Sequence, residues 1–66
     1  MIIVKDKFVI AYNKFPLMFI DEEGDVTNCV ENAYFYSVEK YAEDEISEFD
    51  SPEEYQVLKV EVIYEI

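Results

Sequence analysis

The 66-residue chain contains no histidine, no arginine and no tryptophan, and only one cysteine and one glycine. Without histidine and arginine, it lacks the side chains that most often shuttle protons and clamp phosphates. The lone Cys29 excludes an internal disulfide and fits a reducing compartment. There is no signal peptide, and no apolar run approaches the ~20 residues of a membrane span. We therefore expect a soluble, cytoplasmic protein.

Acidic residues dominate what is present, and they are concentrated in the middle of the chain. The net charge is −11, from sixteen acids and five lysines. Residues 1–20 sum to +2 and residues 55–66 to −1, whereas residues 21–54 hold thirteen acids and Lys40, a balance of −12. Such a chain is repelled by nucleic acids and anionic membranes. Neither is expected as a direct partner.

The size of the chain allows a single domain, residues 1–66, with a thin core. A domain this short buries only about 60% of its unfolded surface and is marginal unless stapled or oligomeric. The 52% hydrophobic content and the eleven aromatic residues nevertheless argue for a folded core. A homodimer is therefore a reasonable expectation.

The apolar periodicity predicts strands at both ends of the chain. Residues 2–12 are rich in β-branched and aromatic side chains, residues 17–20 form a short hairpin partner, and residues 55–66 alternate most clearly. Whether residues 26–27 add a little more strand is left open. With one helix between them, these segments predict an α+β fold of β-β-α-β order. The expected architecture is a mostly antiparallel three-stranded sheet with the helix packed across it.

The predicted helix lies in residues 37–54, and Ser37 is its expected N-cap. The residue at which the helix begins is left open between residues 28 and 37. We favour a short turn, then an extended segment, then the helix. Glu45 projects inside the arc of the helix's apolar stripe, which the pattern does not explain. The stripe consists of Val38, Tyr41, Ala42, Ile46 and Phe49.

No catalytic, metal or cofactor site is predicted, so we expect a non-enzymatic protein. The acidic residues 21–25 do not match the spacing of a calcium-binding EF-hand loop, so a charged hairpin turn is the better interpretation. Cys29 has no histidine to activate it. Paired carboxylates perform acid or base chemistry only in a concave site, for which this chain has little room.

The acids of the predicted helix and its flanks are the candidate partner-binding surface. Glu39/Glu43 and Asp44/Glu48 are like-charge pairs at i,i+4, each costing roughly 0.2–0.5 kcal/mol. The surface serves either solubility or imitation of a nucleic-acid backbone. Carboxylates one helical turn apart, at about 5–6 Å, approach the charge density of phosphates that recur about every 3.4 Å. Three tyrosines that flank the helix are further recognition candidates: Tyr34, Tyr36 and Tyr55. The candidate acids are Glu39, Glu43, Asp44, Glu48, Asp50, Glu53 and Glu54.

In overall pattern the chain resembles the small acidic accessory proteins of bacteriophages. These include the DNA-mimic inhibitors among the anti-CRISPR proteins and the uracil-DNA glycosylase inhibitors. The resemblance covers the size, the absent residue types, the acids on a helix beside a small sheet and the strand at the C-terminal end. It also covers the spacing of Thr27, Ala33, Phe35 and Ser37 before the helix, and the strand at residues 57–62.

The resemblance implies an inhibitor that occupies a basic nucleic-acid-binding surface of a host protein, in the host cytoplasm. Two alternatives stay open. One is a structural module that self-associates through sheet edges, for which the apolar face of residues 58–66 is the relevant feature. The other is an acidic, antitoxin-like partner of a basic toxin.

Overall fold

A computed structural model describes all residues, 1–66, and has the predicted α+β architecture. It contains four strands, β1 (Ile2–Tyr12), β2 (Phe19–Ile20), β3 (Val26–Thr27) and β4 (Tyr55–Glu65), and one helix, α1 (Glu39–Ser47). Two single 3₁₀ turns lie at Val30–Asn32 and Pro52–Glu54. No helix has the length and apolar character needed to cross a membrane.

The sheet has four antiparallel strands in the order β3-β2-β1-β4, so the prediction of three strands was wrong. Its main ladder joins β1 to β4 without a bulge along eleven residue pairs. The fourth strand, β3, exists because the 21–25 segment folds into a tight turn. Gly24 adopts a φ of 85°, and the Asp21 carboxylate accepts bonds from the amides of Glu23 and Asp25, both at 2.9 Å.

Helix α1 begins at Glu39, and Ser37 is not its N-cap, which corrects the sequence-based prediction. Val38 occupies the N-cap position in extended geometry and supplies no side-chain bond. The Ser37 hydroxyl instead lies 3.4 Å from the Lys7 ammonium, which donates to it. Before the helix, Tyr36 exchanges two backbone hydrogen bonds with Phe8, at 2.7 and 2.9 Å. The predicted order of turn, extended segment and helix is confirmed.

The core is divided between the two faces of the sheet. Because neighbouring strand residues point to opposite faces, Ile10 packs with Ile20 and with Ala42 of α1, whereas Val9 packs on the other face. Ala11, Phe19 and Ala33 complete that second cluster. Only seven of the 66 residues are buried, so both clusters are small.

The paired ends of β1 and β4 project beyond both clusters. We call residues 1–6 and 61–66 the distal ribbon. Here Ile2 and Ile63 are each 66% exposed, and Val4 is also exposed. The ribbon makes the molecule elongated, 42 × 23 × 19 Å, with a radius of gyration of 12.2 Å. A compact chain of this length would have a radius of about 10.8 Å.

Candidate functional site: an acidic groove beside helix α1

The predicted partner-binding acids lie in three consecutive pieces of structure. Glu39, Glu43 and Asp44 belong to α1, Glu48 is the residue that ends it, and the remaining members follow in the next turn. All of them are exposed except Glu54, which is half-buried. The remaining members are Asp50, Glu53 and Glu54.

Almost none of this negative charge is neutralised within the molecule. The structure has two ion pairs, Lys14–Glu54 at 3.5 Å and Lys59–Asp6 at 3.9 Å. Lys40 and Asp44, although spaced at i,i+4, do not form a third. Six of the seven predicted acids therefore face solvent without a cation of their own.

The acids at the end of α1 work against the stability of the helix. Asp44 and Glu45 lie in its last turn, Glu48 follows directly, and the last turn contains no basic residue. The carbonyl end of a helix carries partial negative charge, so a nearby exposed carboxylate costs roughly 0.3–1 kcal/mol. A nine-residue helix has little stability of its own. A surface needed only for solubility would not require charge at this end.

Glu45 and Glu48 line a groove that lies between the end of α1 and the β2–β3 turn. Two adjoining depressions of about 410 Å³ and about 270 Å³ form it, and they share Ile20, Gly24 and Phe49. We call this feature the acidic groove. Its six carboxylates are Asp21, Glu22, Glu45, Glu48, Asp50 and Glu54.

The floor of the acidic groove is aromatic. Tyr34 meets Tyr36 edge to face, with ring centroids 4.7 Å apart, and Phe49 meets Tyr55 in the same geometry at 4.7 Å. Tyr12 stacks behind Tyr55 at 5.0 Å. Such packing fixes the rings, so their electron-rich faces form a preorganised surface.

Glu45, which the sequence pattern leaves unexplained, belongs to this groove. Its side chain is exposed beside Tyr36. Burial raises the pKa of the Tyr36 hydroxyl, and the negative charge of Glu45 raises it further, followed by a smaller effect of Tyr34. The pKa of Tyr55 is also raised, first by hydrogen bonding with the side chain of Tyr12 and then by burial. Both hydroxyls therefore stay protonated at neutral pH.

The groove only partly coincides with the predicted surface. It brings together Glu48, Asp50 and Glu54, and it leaves out Glu39, Glu43, Asp44 and Glu53. It adds Asp21 and Glu22, which the sequence analysis assigned to a plain turn. The tyrosines that were singled out, Tyr34, Tyr36 and Tyr55, all line it.

Chemically, the acidic groove suits the positively charged side chain of a lysine or an arginine. Aromatic faces attract an ammonium or guanidinium group, and the surrounding carboxylates pair with it. No cluster of three or more acidic or sulfur ligands has the arrangement of a metal site. No family model, curated protein or solved structure matches this chain.

Proposed function

We propose that this chain is a non-enzymatic binding protein that occupies the basic nucleic-acid-binding surface of a host protein. It would act in the host cytoplasm, in the manner of the small acidic phage inhibitors, including the anti-CRISPR DNA mimics. The observation that carries the proposal is the set of unpaired carboxylates around the end of α1. They destabilise the helix, and they rim a groove with an aromatic floor.

The distribution of charge supports mimicry of a polyanion. The acids run from α1 through its C-terminal end to the β2–β3 turn, so they cover an extended surface rather than one point. On α1 and at its end, Glu39 and Glu43, and likewise Asp44 and Glu48, lie one helical turn apart, a spacing comparable to that of backbone phosphates. A protein surface that binds phosphates would meet carboxylates at similar intervals.

The acidic groove adds a contact that a simple anionic surface would not make. Surfaces that bind nucleic acids present arginine and lysine, and arginine also stacks on aromatic rings. An arginine entering the groove would meet Phe49 and Tyr36 and the carboxylates of Glu45 and Glu48. A cation–π contact of this kind contributes about 0.5–2 kcal/mol. The groove therefore serves as the proposed anchor.

Displacement of DNA from defined proteins tests the proposal. A labelled DNA duplex is bound to each member of a panel: a uracil-DNA glycosylase, a CRISPR nuclease and a basic nuclease toxin. This protein is then titrated in, and fluorescence anisotropy is recorded. We expect displacement from at least one member, weakening as salt rises because the attraction is screened. Displacement from the toxin alone would point to the antitoxin-like class.

Two variants with equal charge loss make the test specific to the groove. Glu48→Gln with Asp50→Asn removes two charges from the rim, and Glu31→Gln with Glu65→Gln removes two elsewhere. The first variant should require at least tenfold more protein for displacement, and the second should behave nearly as the wild type. Equal behaviour of the two variants, or no displacement from any panel member, would overturn the proposal.

A further inference from the structure

The β4 strand forms an edge of the sheet that has no partner along its eleven residues. Met1 and Ile66 exchange two backbone hydrogen bonds, both at 2.8 Å, which fixes the alternation along the β1–β4 ladder. Even-numbered residues of β4 bond to β1. Odd-numbered residues therefore direct their N–H and C=O groups to the open edge. The edge is a ready template for another strand.

This edge lacks three common protections against pairing. Natural edge strands are often short, bulged or interrupted by proline, whereas β4 is long, regular and free of proline. The distal ribbon beside it also holds six of the thirteen large hydrophobic residues that are exposed in this chain. A domain with only seven buried residues gains most from covering such a surface.

We propose that β4 pairs antiparallel with β4 of a second copy, about a two-fold axis at Val60. This register places Lys59 opposite Glu61 of the second copy, and the symmetry repeats the pair. Both residues have outward backbone groups, so they form a hydrogen-bonded pair. In the dimer, the only lysine of each β4 strand therefore lies opposite a glutamate of the other copy.

The same register matches apolar side chains across the axis. Leu58 lies opposite Val62 on the face away from α1, and Val60 lies opposite its own copy. On the helix face, Ile63 lies opposite Val57, which packs in the cluster beneath α1. The exposed Ile63 would thus extend the small core of the second copy. Matched pairs of this kind are the unit of sheet stability.

Neighbouring registers pair the charges of β4 less completely. An axis at Val62 places Lys59 opposite Glu65 but leaves Glu61 opposite Ile63. An axis at Lys59 places two lysines opposite each other, and an axis at Glu61 does the same with two glutamates. An axis at Leu58 leaves Lys59 facing valine and Glu61 facing tyrosine. The axis at Val60 is the register that pairs both charges of the edge's centre.

The dimer would leave the carboxylates of the acidic groove outside the paired strands, and Tyr55 is the one residue lining the groove that lies on β4. A two-fold axis perpendicular to the sheet keeps both helices on one face of an eight-stranded sheet, with the two β3 strands outermost. None of the groove's carboxylates belongs to β4. Dimerisation and partner binding are therefore separable, and a variant that fails in one test can pass the other.

Charge reversal across the edge tests the register. Sedimentation equilibrium over a range of concentrations of the full chain should show a dimer for the wild type. Lys59→Glu places two acids opposite Glu61 and should weaken dimerisation at least tenfold. The double variant Lys59→Glu with Glu61→Lys restores opposite charges and should return to within about threefold of the wild type. Lys40→Glu, with the same charge change on exposed α1, should have little effect.

A second measurement needs no variant, which covers the case in which a reversed chain does not fold. Amide hydrogen exchange is followed by NMR at low and high protein concentration. The outward amides at positions 57, 59, 61 and 63 should gain protection with concentration, whereas the inward amides at 58, 60 and 62 are already protected. A chain that is monomeric at millimolar concentration, an unrescued double variant, or exchange that does not depend on concentration would overturn the proposal.

Discussion

At the scale of single residues, Glu45 links the sequence pattern to the site. It falls within the apolar arc of α1, yet its side chain is exposed. The apolar arc of α1 is wider than the part of the helix that contacts the sheet. Ala42 is buried, whereas Tyr41 on the flank is 61% exposed. Glu45 on that flank lines the acidic groove instead of the core, so a carboxylate is compatible with the position. An acid inside an apolar stripe was one sequence signal for the groove, beside the flanking tyrosines and the acids that follow α1.

Glu45 should also set the ionisation of its neighbour Tyr36. Burial and the Glu45 charge both raise the Tyr36 pKa above 10.0, so Glu45→Gln should lower it without returning it fully to that value. The ring resonances of Tyr36, followed by NMR through an alkaline titration, report this pKa. Glu43→Gln, on another side of α1, is the matched control. An unchanged Tyr36 titration in Glu45→Gln would contradict the assignment.

The sign of the linked stability effect follows from the raised pKa. The folded state holds the Tyr36 proton more tightly than the unfolded state does. The resulting stability is complete below pH 10 and is lost as pH rises through the folded pKa. Tyr36→Phe should therefore flatten part of the alkaline decline in the free energy of unfolding.

At the scale of elements, the sequence pattern determined the long strands better than the short ones. The pairing of the 17–20 segment with the first strand is confirmed for Phe19–Ile20, and the strand left open at residues 26–27 is present. β1 and β4 each carry enough alternating residues to define a face, which is why their bounds were nearly right. β2 and β3 have two residues each, too few for an alternating pattern. The pairing of β3 with β2 depends on the Asp21 turn. That turn also delivers two of the groove's carboxylates, which is why the predicted surface included only part of the groove.

The start of α1 was misplaced because a tertiary contact overrides local preference. Tyr36 pairs with Phe8 and holds the chain extended, so the N-cap falls at Val38, whose side chain cannot accept a hydrogen bond. Val38→Ser should therefore stabilise the protein by about 0.5–2 kcal/mol, because its geometry suits a cap and its side chain is 44% exposed.

Urea denaturation at a fixed protein concentration measures the effect of the new cap. Ser37→Ala is the control, because it removes only the exposed bond from Lys7 and should change the free energy of unfolding little. A Val38→Ser protein no more stable than the wild type would show that the position does not act as a cap.

At the scale of the whole molecule, a charge of −11 acts on a core of seven buried residues. Self-repulsion of this size opposes the compact state, and added salt screens it. The melting temperature should therefore rise as sodium chloride increases from about 0.01 to 0.15 M. The same salt should weaken binding to a basic partner, so stability and affinity should move in opposite directions.

Scanning calorimetry at constant protein concentration tests the salt dependence. Glu48→Gln with Asp50→Asn should melt higher than the wild type at low salt and gain less from added salt, because fewer acids crowd the end of α1. A melting temperature that is flat or falls with salt would rule out repulsion as a limit on stability.

The β1–β4 ladder also determines how the chain must fold. Its partners are far apart in sequence, from Tyr12 with Tyr55 to Ile2 with Glu65. Closing such loops costs entropy before any ladder contact repays it, and non-local pairings of this kind belong to topologies that fold in milliseconds to seconds. During synthesis, β1 can pair with β2 early but cannot form its main ladder until β4 has been made. The feature that organises the native sheet is therefore the last to form.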